Sequence, residues 1–404
     1  MKSLVTLVSL VLIGGAAIWA QNAGNKGGKR AESTGTQQPT SKAKSSGDAK
    51  TSVARDPATI RAVEKGAKWL ASVQGADGGW GQDGGDPSNV RQAVPLESAG
   101  NDLANTAVAA LALLRAGNQY RPNVERAVDF ILRRVESSPA DGLSITDANA
   151  KPTQIQRKLG PYIDTFLTAM LLAEVDGTFA RAANARIRRG LEKCVAKIQK
   201  NQTKDGSWNV GGGWAPLLGT SLASRSLYEA GKKGVAVDRE VLARADGYTV
   251  KNQQDRDSLA RGGSVGGAGV VSGVGGVSES VSVSSAAGVT LYQDAQALEQ
   301  LSRSAESRMQ NATALAAIND KLSDSKFVEG YGSIGGEEFF SYLNISDGLK
   351  RSGGKVWSEW NAKITQKILK LQNADGTWAG QHCITGRCAV TSAAILNLTS
   401  DRVD

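Results

Sequence analysis

The sequence is poor in histidine, proline and cysteine, and each scarcity excludes a class of protein or site. A single histidine among 404 residues excludes a zinc centre built from two or three imidazoles. Three cysteines are too few for a disulfide scaffold, and nine prolines are too few for a collagen-like chain. Glycine is abundant instead, with 47 residues, and 40% of the chain is hydrophobic. A chain of this length and composition can bury a sizeable core, so wholesale disorder is excluded.

The net charge of +9 is concentrated near the N-terminus. Residues 1–56 hold eight Lys or Arg residues and three acidic ones, so this segment carries five of the nine net positive charges. The rest of the chain is nearly balanced and has no dense basic stripe with interleaved aromatic residues. We therefore predict no nucleic-acid partner. The basic segment is expected to be a solvated spacer, with weak attraction to an anionic surface as the alternative.

The first 20 residues have the pattern of a secretory signal peptide. Met1 and Lys2 precede an apolar run from Leu4 to Ile13, and small residues lead to Ala20. The run is shorter than the roughly 20 residues that a membrane-spanning helix needs, although an uncleaved anchor remains the alternative. Residues 21–56 lack apolar periodicity and are predicted to form a disordered basic linker. We expect the chain to be exported, either to a periplasm or outside the cell.

One seven-residue pattern, Gln-x-x-Asp-Gly-x-Trp, occurs three times. Each copy follows an amphipathic helical segment, at 62–73, 190–200 and 360–371. The Asp-Gly pair predicts a turn, and the Trp offers a large surface that packs back onto the helix. Three copies in the same context predict stacked helical hairpins that share one core. The residues of the pattern are Gln74, Asp77, Trp80, Gln202, Asp205, Trp208, Gln372, Asp375 and Trp378.

A small-residue apolar helix is predicted after each repeat, at 102–116, 220–230 and 389–399. Several such helices have a glycine just past their last apolar residue, for example Gly117, which is typical of a helix C-terminus. Residues 262–290 are dominated by Gly, Ser and Val. Because glycine costs about 1 kcal/mol per helical position, we predict a loop over 262–278 and a helix from Glu279 to Tyr292.

The three repeats resemble those of squalene and oxidosqualene cyclases, which belong to the terpenoid cyclase/protein prenyltransferase superfamily. The resemblance covers roughly residues 57–404. It implies an all-α fold in which this region is a single α/α toroid of about 10–12 helices. In such a toroid, inner helices surround a cavity and outer helices surround the inner ones.

The acid expected from this resemblance is missing. Class II cyclases of the superfamily carry their proton donor in an Asp-x-Asp-Asp-Thr-Ala type motif that opens an inner helix. The nearest match begins at Asp102, and Ala104 and Asn105 stand at the second and third acidic positions. Alanine cannot donate a proton, and aromatic residues, at 5% of the chain, are sparse for stabilising carbocations. The remaining catalytic candidates are Asp102, Asp164 and Glu338.

The zinc site of the prenyltransferase branch is also not matched. His382 and Cys388 lie near the last inner helix, where the resemblance places a zinc ligand, but no Asp-x-x-Cys-like pair precedes them. We therefore predict no metal and no cofactor. Asn105, Trp214 and His382 are candidates for the cavity or for ligand contact. For Asp102, Asn105 and Asp164, N-terminal capping of inner helices is the alternative role.

A disulfide between Cys383 and Cys388 is predicted from export and from the turn that Gly386 allows between them. Free thiols and a metal site with His382 are the alternatives. Cys194 lies on an apolar helical face and is expected in the core.

These observations predict an exported toroid protein without catalysis, which binds or scaffolds an apolar ligand or a protein partner. The alternative is a divergent terpenoid cyclase or lyase that uses a different acid. A deep apolar chamber with a buried, protonated carboxyl group would favour the enzyme, and a filled centre would favour the scaffold.

Overall fold

The computed structural model describes residues 56–83, 100–208, 216–260, 287–329 and 334–402. Several predicted features lie outside these ranges. They are the signal peptide, the linker except for its last residue, Trp214 and the loop 262–278. Within the described ranges the chain contains α-helices and two short 3-10 turns, and it forms no β-strand. The predicted all-α class is confirmed.

Fifteen α-helices follow one another in the described residues. They are α1 (Pro57–Ser72), α2 (Leu103–Ala116), α3 (Arg121–Ser137), α4 (Gln154–Leu159), α5 (Ile163–Val175), α6 (Arg181–Lys200), α7 (Pro216–Lys232), α8 (Arg239–Ala260), α9 (Ala287–Leu301), α10 (Ala305–Gln310), α11 (Ala312–Ser323), α12 (Ser325–Glu329), α13 (Gly336–Ser352), α14 (Gly354–Lys370) and α15 (Arg387–Leu398). The 3-10 turns are Asn118–Tyr120 and Ser400–Arg402.

Six helices form a closed inner ring. Each packs against the next in the order α2, α5, α7, α9, α13 and α15, and α15 packs against α2. The outer helices cover the junctions, so that α1 contacts α15 and α2, α6 contacts α5 and α7, and α8 contacts α7 and α9. This arrangement confirms the predicted α/α toroid. Twelve helices make up the two rings, and the short helices α4, α10 and α12 are additional to the predicted number.

The distribution of apolar residues explains which helices lie inside. Every residue of α2 from Leu103 to Leu113 is buried, and five of these eleven residues are alanines that allow close approach. Helix α1, in contrast, has Pro57 at its first turn and buries one stripe, which includes Ala62, Val63 and Leu70. A helix that is buried on all sides belongs to the inner ring, and an amphipathic helix covers it from outside.

The largest differences from the predicted helix boundaries are in α9 and α6. The described helix α9 runs from Ala287 to Leu301, nine residues beyond the predicted end at Tyr292. Its continuation buries Ala295, Leu298 and Leu301 against the ring, and this packing favours a longer helix than the local composition indicates. Helix α6 begins at Arg181, nine residues before the predicted start at 190. Its first two turns contain one large apolar residue, Ile187, and therefore carry little apolar periodicity in the sequence.

The three tryptophans of the repeats make the same hydrogen bond. The indole N–H donates to a backbone carbonyl ten residues earlier, from Trp80 to Leu70 (2.8 Å), from Trp208 to Ile198 (2.6 Å) and from Trp378 to Ile368 (2.7 Å). Each backbone N–H of the tryptophan also donates to a threonine hydroxyl in the following inner helix. These hydroxyls belong to Thr106, Thr220 and Thr391. Each tryptophan therefore joins an outer helix to the next inner one.

The glutamines of the repeats link neighbouring hairpins. Gln74 Nε2 donates to the carbonyl of Gly78 in its own turn and to that of Asn123 in α3. Gln202 makes the equivalent pair of bonds to Gly206 and Val241. Gln372 Nε2 donates to Gly376 and, at 2.9 Å, to the Ala62 carbonyl of α1. The last repeat therefore holds the first helix and closes the ring.

Candidate functional site

The centre of the inner ring contains a cavity of about 40 Å³. All six inner helices contribute to its wall, and apolar side chains predominate. One lining residue from each inner helix, in chain order, is Leu111, Leu167, Leu222, Tyr292, Phe340 and Leu396. The predicted central cavity is therefore present.

Several acidic residues stand at the N-terminal ends of inner helices. Asp102 is the N-cap of α2, and its Oδ1 accepts from the backbone N–H of Asn105 at 2.8 Å. Asp164 lies in the first turn of α5, and Glu337 and Glu338 lie in the first turn of α13. A helix N-terminus carries partial positive charge and stabilises carboxylates, which explains why acids collect there. The capping role is confirmed for Asp102, whereas Asp164 and Asn105 lie inside their helices.

Asp102 and Asp164 come together from neighbouring inner helices. Burial, followed by the nearby Asp164 carboxylate, raises the pKa of Asp102 to about 7. Burial raises the pKa of Asp164 to about 6, although the Thr146 hydroxyl and the Gln156 amide donate to its carboxylate. Two acids in one buried place repel each other's charge, so the pair tends to retain a proton near neutral pH.

Asn105 supports this acid pair and is buried within α2. Its Nδ2 donates to Asp102 Oδ2 at 2.8 Å. Both carboxyl groups also lie beside the backbone N–H of Ala104. This N–H lowers the pKa of each carboxyl group, but burial raises it by more. Alanine thus occupies the position of the missing acid, and Asp164 brings a carboxyl group to the same place from the next inner helix.

The start of α13 meets the loop before α15. Glu337 Oε2 accepts from the backbone N–H of Ile384 at 3.2 Å, and Gly336 N–H donates to the Ile384 carbonyl at 2.8 Å. His382 Nε2 lies 3.6 Å from Glu338 Oε2. Burial raises the pKa of both glutamates, more than the nearby His382 lowers it. Glu337 lines the cavity wall, and Glu338 accepts from the hydroxyl of the lining residue Tyr292.

The two cysteines near α15 do not form the predicted disulfide. All three cysteines are free, and Cys194 is buried in α6 as expected. Cys383 lies beside Glu337, whereas Cys388 is buried in the first turn of α15, close enough to Asp102 for that carboxylate to raise its pKa. The two sulfurs therefore have different neighbours, and the turn at Gly386 does not bring them together.

A buried ionic network lies towards the other ends of the inner helices. Glu299 accepts from Arg303 Nη2 at 2.7 Å, and its Oε1 forms an ion pair with Arg351 Nη2 at 3.0 Å. Arg225 pairs with Asp347. Although burial alone would raise it, the pKa of Glu299 is held well below its usual range by Arg303, Arg351 and Arg225. Arg225 also lines the cavity, so the cavity wall carries one compensated cation.

Sequence reasoning did not find Arg225 as a cavity residue, and from the Glu337–Glu338 pair it chose Glu338 as the catalytic candidate. Adjacent helical residues face about 100° apart, and the cavity is lined by Glu337. The apolar surroundings of Arg225 in α7, with the lining residue Leu222 three positions earlier, are a signal that could have found it.

Comparisons with known sequences find squalene–hopene cyclases, the proteins whose repeats this sequence resembles. Residues 47–150 match the family model of the squalene-hopene cyclase C-terminal domain. A squalene–hopene cyclase from Bradyrhizobium diazoefficiens is 40% identical over 70 residues, which are 17% of this chain and 10% of that protein. The chain therefore matches only a tenth of the length of this relative.

Solved structures of the type II terpene cyclase MstE from Scytonema have low similarity to the chain. One variant, in complex with merosterolic acid A, has a TM-score of 0.33 and 11% identity, covering 85% of this chain and 96% of that one. A second variant, in complex with geranylgeranyl dihydroxybenzoate, has a TM-score of 0.32 and 12% identity, covering 85% and 97%. The family match and the curated relative, together with the three repeats, support the membership of this chain in the terpenoid cyclase superfamily.

Proposed function

We propose that this protein binds an apolar molecule, such as an isoprenoid, in the central cavity of the toroid. The observation that carries this proposal is the apolar wall to which all six inner helices contribute. Burial of hydrocarbon in such a wall is favourable by about 25 cal/mol per Å² of apolar surface. Among the described residues that line the cavity, Tyr292 and Phe340 alone are aromatic, which favours binding over the stabilisation of carbocations.

The proposal includes export through the N-terminal leader, with residues 21–56 as a basic tether. Among the described residues, no helix is long and apolar enough to cross a membrane. The tether would add a weak attraction to anionic surfaces. We expect its contribution to be abolished by moderate salt, since exposed charges are screened over about 10 Å at 0.1 M.

Co-purification tests the binding function. The full chain is incubated with a lipid extract and purified, and the bound molecules are identified by mass spectrometry. We expect an apolar compound to be retained, and Met170→Trp, which fills the cavity, to reduce retention at least about tenfold, a loss of roughly 1.4 kcal/mol. Met309→Trp is the matched control, because Met309 is 80% exposed. Retention of no apolar compound, or equal retention by both variants, would refute the proposal.

A second candidate function is proton transfer to a bound isoprenoid by the Asp102–Asp164 pair. The observation that favours it is the raised pKa of both carboxyl groups, which keeps a proton available near neutral pH. Leu167, one helical turn beyond Asp164, lines the cavity, so the pair lies within about one helical turn of the cavity wall.

Single substitutions separate this activity from binding. Asp102→Asn and Asp164→Asn should abolish conversion of a linear isoprenoid while leaving its retention within about twofold, or roughly 0.4 kcal/mol. Asp320→Asn on the exposed side of α11 is the control. If no variant changes the products because none are formed, the protein binds without catalysis.

A further inference from the structure

We propose that the ligand of the central cavity is a neutral amphiphile, whose oxygen-bearing head group binds to Gln296, Ser341 and Asn344. This inference rests on the proposed binding of an apolar molecule in the cavity, and it adds the polar group that this molecule carries. The class of ligand is an alcohol or a carbonyl compound with a hydrocarbon chain. It is neither a pure hydrocarbon nor a phosphate ester.

The wall of the cavity has an apolar half and a half that contains polar groups. Helices α15, α2 and α5 are consecutive in the ring, and their described lining residues are all apolar. Helices α7, α9 and α13 are consecutive on the other side and carry the charged, amide and hydroxyl groups of the described wall. The residues with these groups are Arg225, Tyr292, Gln296, Glu337, Ser341 and Asn344. A molecule with one polar end and a hydrocarbon chain matches a wall divided in this way.

Gln296 and Ser341 have unused hydrogen-bonding groups in this wall. Gln296 is 3% exposed and Ser341 is 1% exposed, and neither side chain forms a hydrogen bond with another described residue. The amide offers two donor hydrogens and a carbonyl oxygen, and the hydroxyl both donates and accepts. Because an unmade hydrogen bond of a buried group is costly, such groups nearly always have a partner. Their place in the cavity wall points to the head group of a ligand as that partner.

Arg225 fixes the orientation of the third side chain, Asn344. Arg225 Nη1 donates to Asn344 Oδ1 at 3.0 Å, so the carbonyl side of the amide faces the guanidinium group. The Nδ2 group of Asn344 then remains a donor without a partner among the described residues. Asn344 lies three residues beyond Ser341 and shares its face of α13, and α9, which carries Gln296, packs against α13. Gln296, Ser341 and Asn344 therefore form one polar patch.

The charges around the polar patch favour a neutral head group. Arg225 forms an ion pair with Asp347, and its Nε lies 4.0 Å from Glu299 Oε1, so its positive charge is already compensated. The other ionisable side chain of the described wall that is charged at its usual pKa is an acid, Glu337. A phosphate would add negative charge to these buried acids, which is costly. The cavity, at about 40 Å³, also leaves less room for a phosphate than for a hydroxyl group.

Equilibrium dialysis of the full chain against three matched compounds tests the head group. The compounds are geraniol, the hydrocarbon that lacks only its hydroxyl group, and geranyl phosphate. We expect geraniol to bind at least about tenfold more tightly than geranyl phosphate. Gln296→Leu and Ser341→Ala should each weaken the binding of geraniol by about 3–10-fold, as expected for one lost hydrogen bond, and leave the binding of the hydrocarbon within about twofold.

Matched substitutions at exposed positions and a fold check complete the test. Gln310→Leu and Ser358→Ala, on exposed parts of α10 and α14, should change the binding of neither compound. Circular dichroism verifies that each variant is folded, and leucine at position 296 is well tolerated because the amide that it replaces has no partner to lose.

The outcomes separate this inference from the cavity proposal. If Gln296→Leu and Ser341→Ala bind geraniol as the original chain does, water alone occupies the polar patch and the inference is overturned. Tighter binding of geranyl phosphate than of geraniol would overturn the neutral head group. In both cases retention of the hydrocarbon leaves the cavity proposal standing. If neither geraniol nor the hydrocarbon is retained, the cavity proposal fails, and this inference fails with it.

Discussion

Asp102 and Asp164 are 62 residues apart in the sequence, yet the carboxylate of Asp164 is close enough to raise the pKa of Asp102. They lie at the N-terminal ends of α2 and α5, which are adjacent in the inner ring. Ala104 stands between them at the place where the resemblance to class II cyclases expects an acid. Asp164 thus brings a second carboxyl group beside Asp102 from the neighbouring inner helix.

The acid pair predicts an unusual dependence of stability on pH. Because the folded-state pKa values, about 7 and about 6, exceed the usual value of an unfolded aspartate, the folded chain binds more protons than the unfolded chain between about pH 4 and pH 7. The contribution of the pair to the free energy of unfolding therefore falls as pH rises through this window, by up to about 1.4 kcal/mol per pH unit for each group.

Asp102→Asn and Asp164→Asn should each make the stability of the chain depend less steeply on pH. The melting temperatures of both variants and of the original chain between pH 5 and pH 8 measure this dependence, and Asp320→Asn is the exposed control. A variant whose melting temperature follows the same pH profile as the original would contradict the raised pKa values.

The ion pairs of Glu299 should make stability depend on pH in the opposite direction. Its pKa is held below the usual range, so its ion pairs stabilise the fold above the unfolded-state pKa of about 4 and are lost as pH falls through the folded-state value. Glu299→Gln removes the carboxylate charge that pairs with Arg303 and Arg351 and should lower the free energy of unfolding by about 3–5 kcal/mol. Denaturant unfolding measures this loss. The exposed Glu306→Gln should change it by less than about 0.5 kcal/mol.

The closing hydrogen bond of the ring can be removed at Gln372. Gln372→Ala leaves the carbonyls of Gly376 and Ala62 without this donor and should destabilise the chain by about 1–3 kcal/mol in denaturant unfolding. Gln366→Ala, at an exposed position of the preceding helix α14, is the control. Equal stability of the two variants would show that the contact between the last repeat and α1 contributes nothing.

The Asp-Gly turns predict a strict requirement for glycine. Gly206 has a φ of 91°, and a Cβ there would lie 2.2 Å from the Arg244 carbonyl oxygen of α8. Gly206→Ala should therefore cost at least about 1–2 kcal/mol in thermal or chemical unfolding. Gly247→Ala in α8 is the matched control, since a Cβ at that position would meet nothing within 4 Å and alanine favours helix by about 1 kcal/mol. If Gly206→Ala and Gly247→Ala change the free energy of unfolding in the same direction, the steric requirement for glycine at the turn is contradicted.

The cysteines can be counted chemically. Alkylation of the unfolded, unreduced chain followed by mass spectrometry should label all three thiols, because Cys194, Cys383 and Cys388 are free. In the native chain the half-buried Cys383 should react before the two buried thiols. A single label on the unfolded chain would instead reveal a disulfide between two of them.

The repeats made the fold predictable, whereas the site depended on closure of the ring. Asp-Gly turns and returning tryptophans are local features, and Trp80, Trp208 and Trp378 indeed make one common bond. The meeting of Asp102 with Asp164, and of Glu337 with His382, depends on contacts between helices that are distant in sequence. No local periodicity states which of two adjacent glutamates faces the cavity, so the catalytic candidate chosen from the pair was Glu338, whereas Glu337 lines the wall.

The bond from Gln372 to Ala62 has a consequence for how the protein unfolds. An open stack of helical hairpins can fray from either end, because each end has a neighbour on one side only. A ring has no such end, since α15 packs against α2 and the last repeat holds α1. Loss of any one hairpin exposes two interfaces instead of one. We therefore expect the toroid to melt in a single cooperative transition. Deletion of the C-terminal hairpin should prevent the whole toroid from folding, instead of removing one hairpin from an otherwise folded protein.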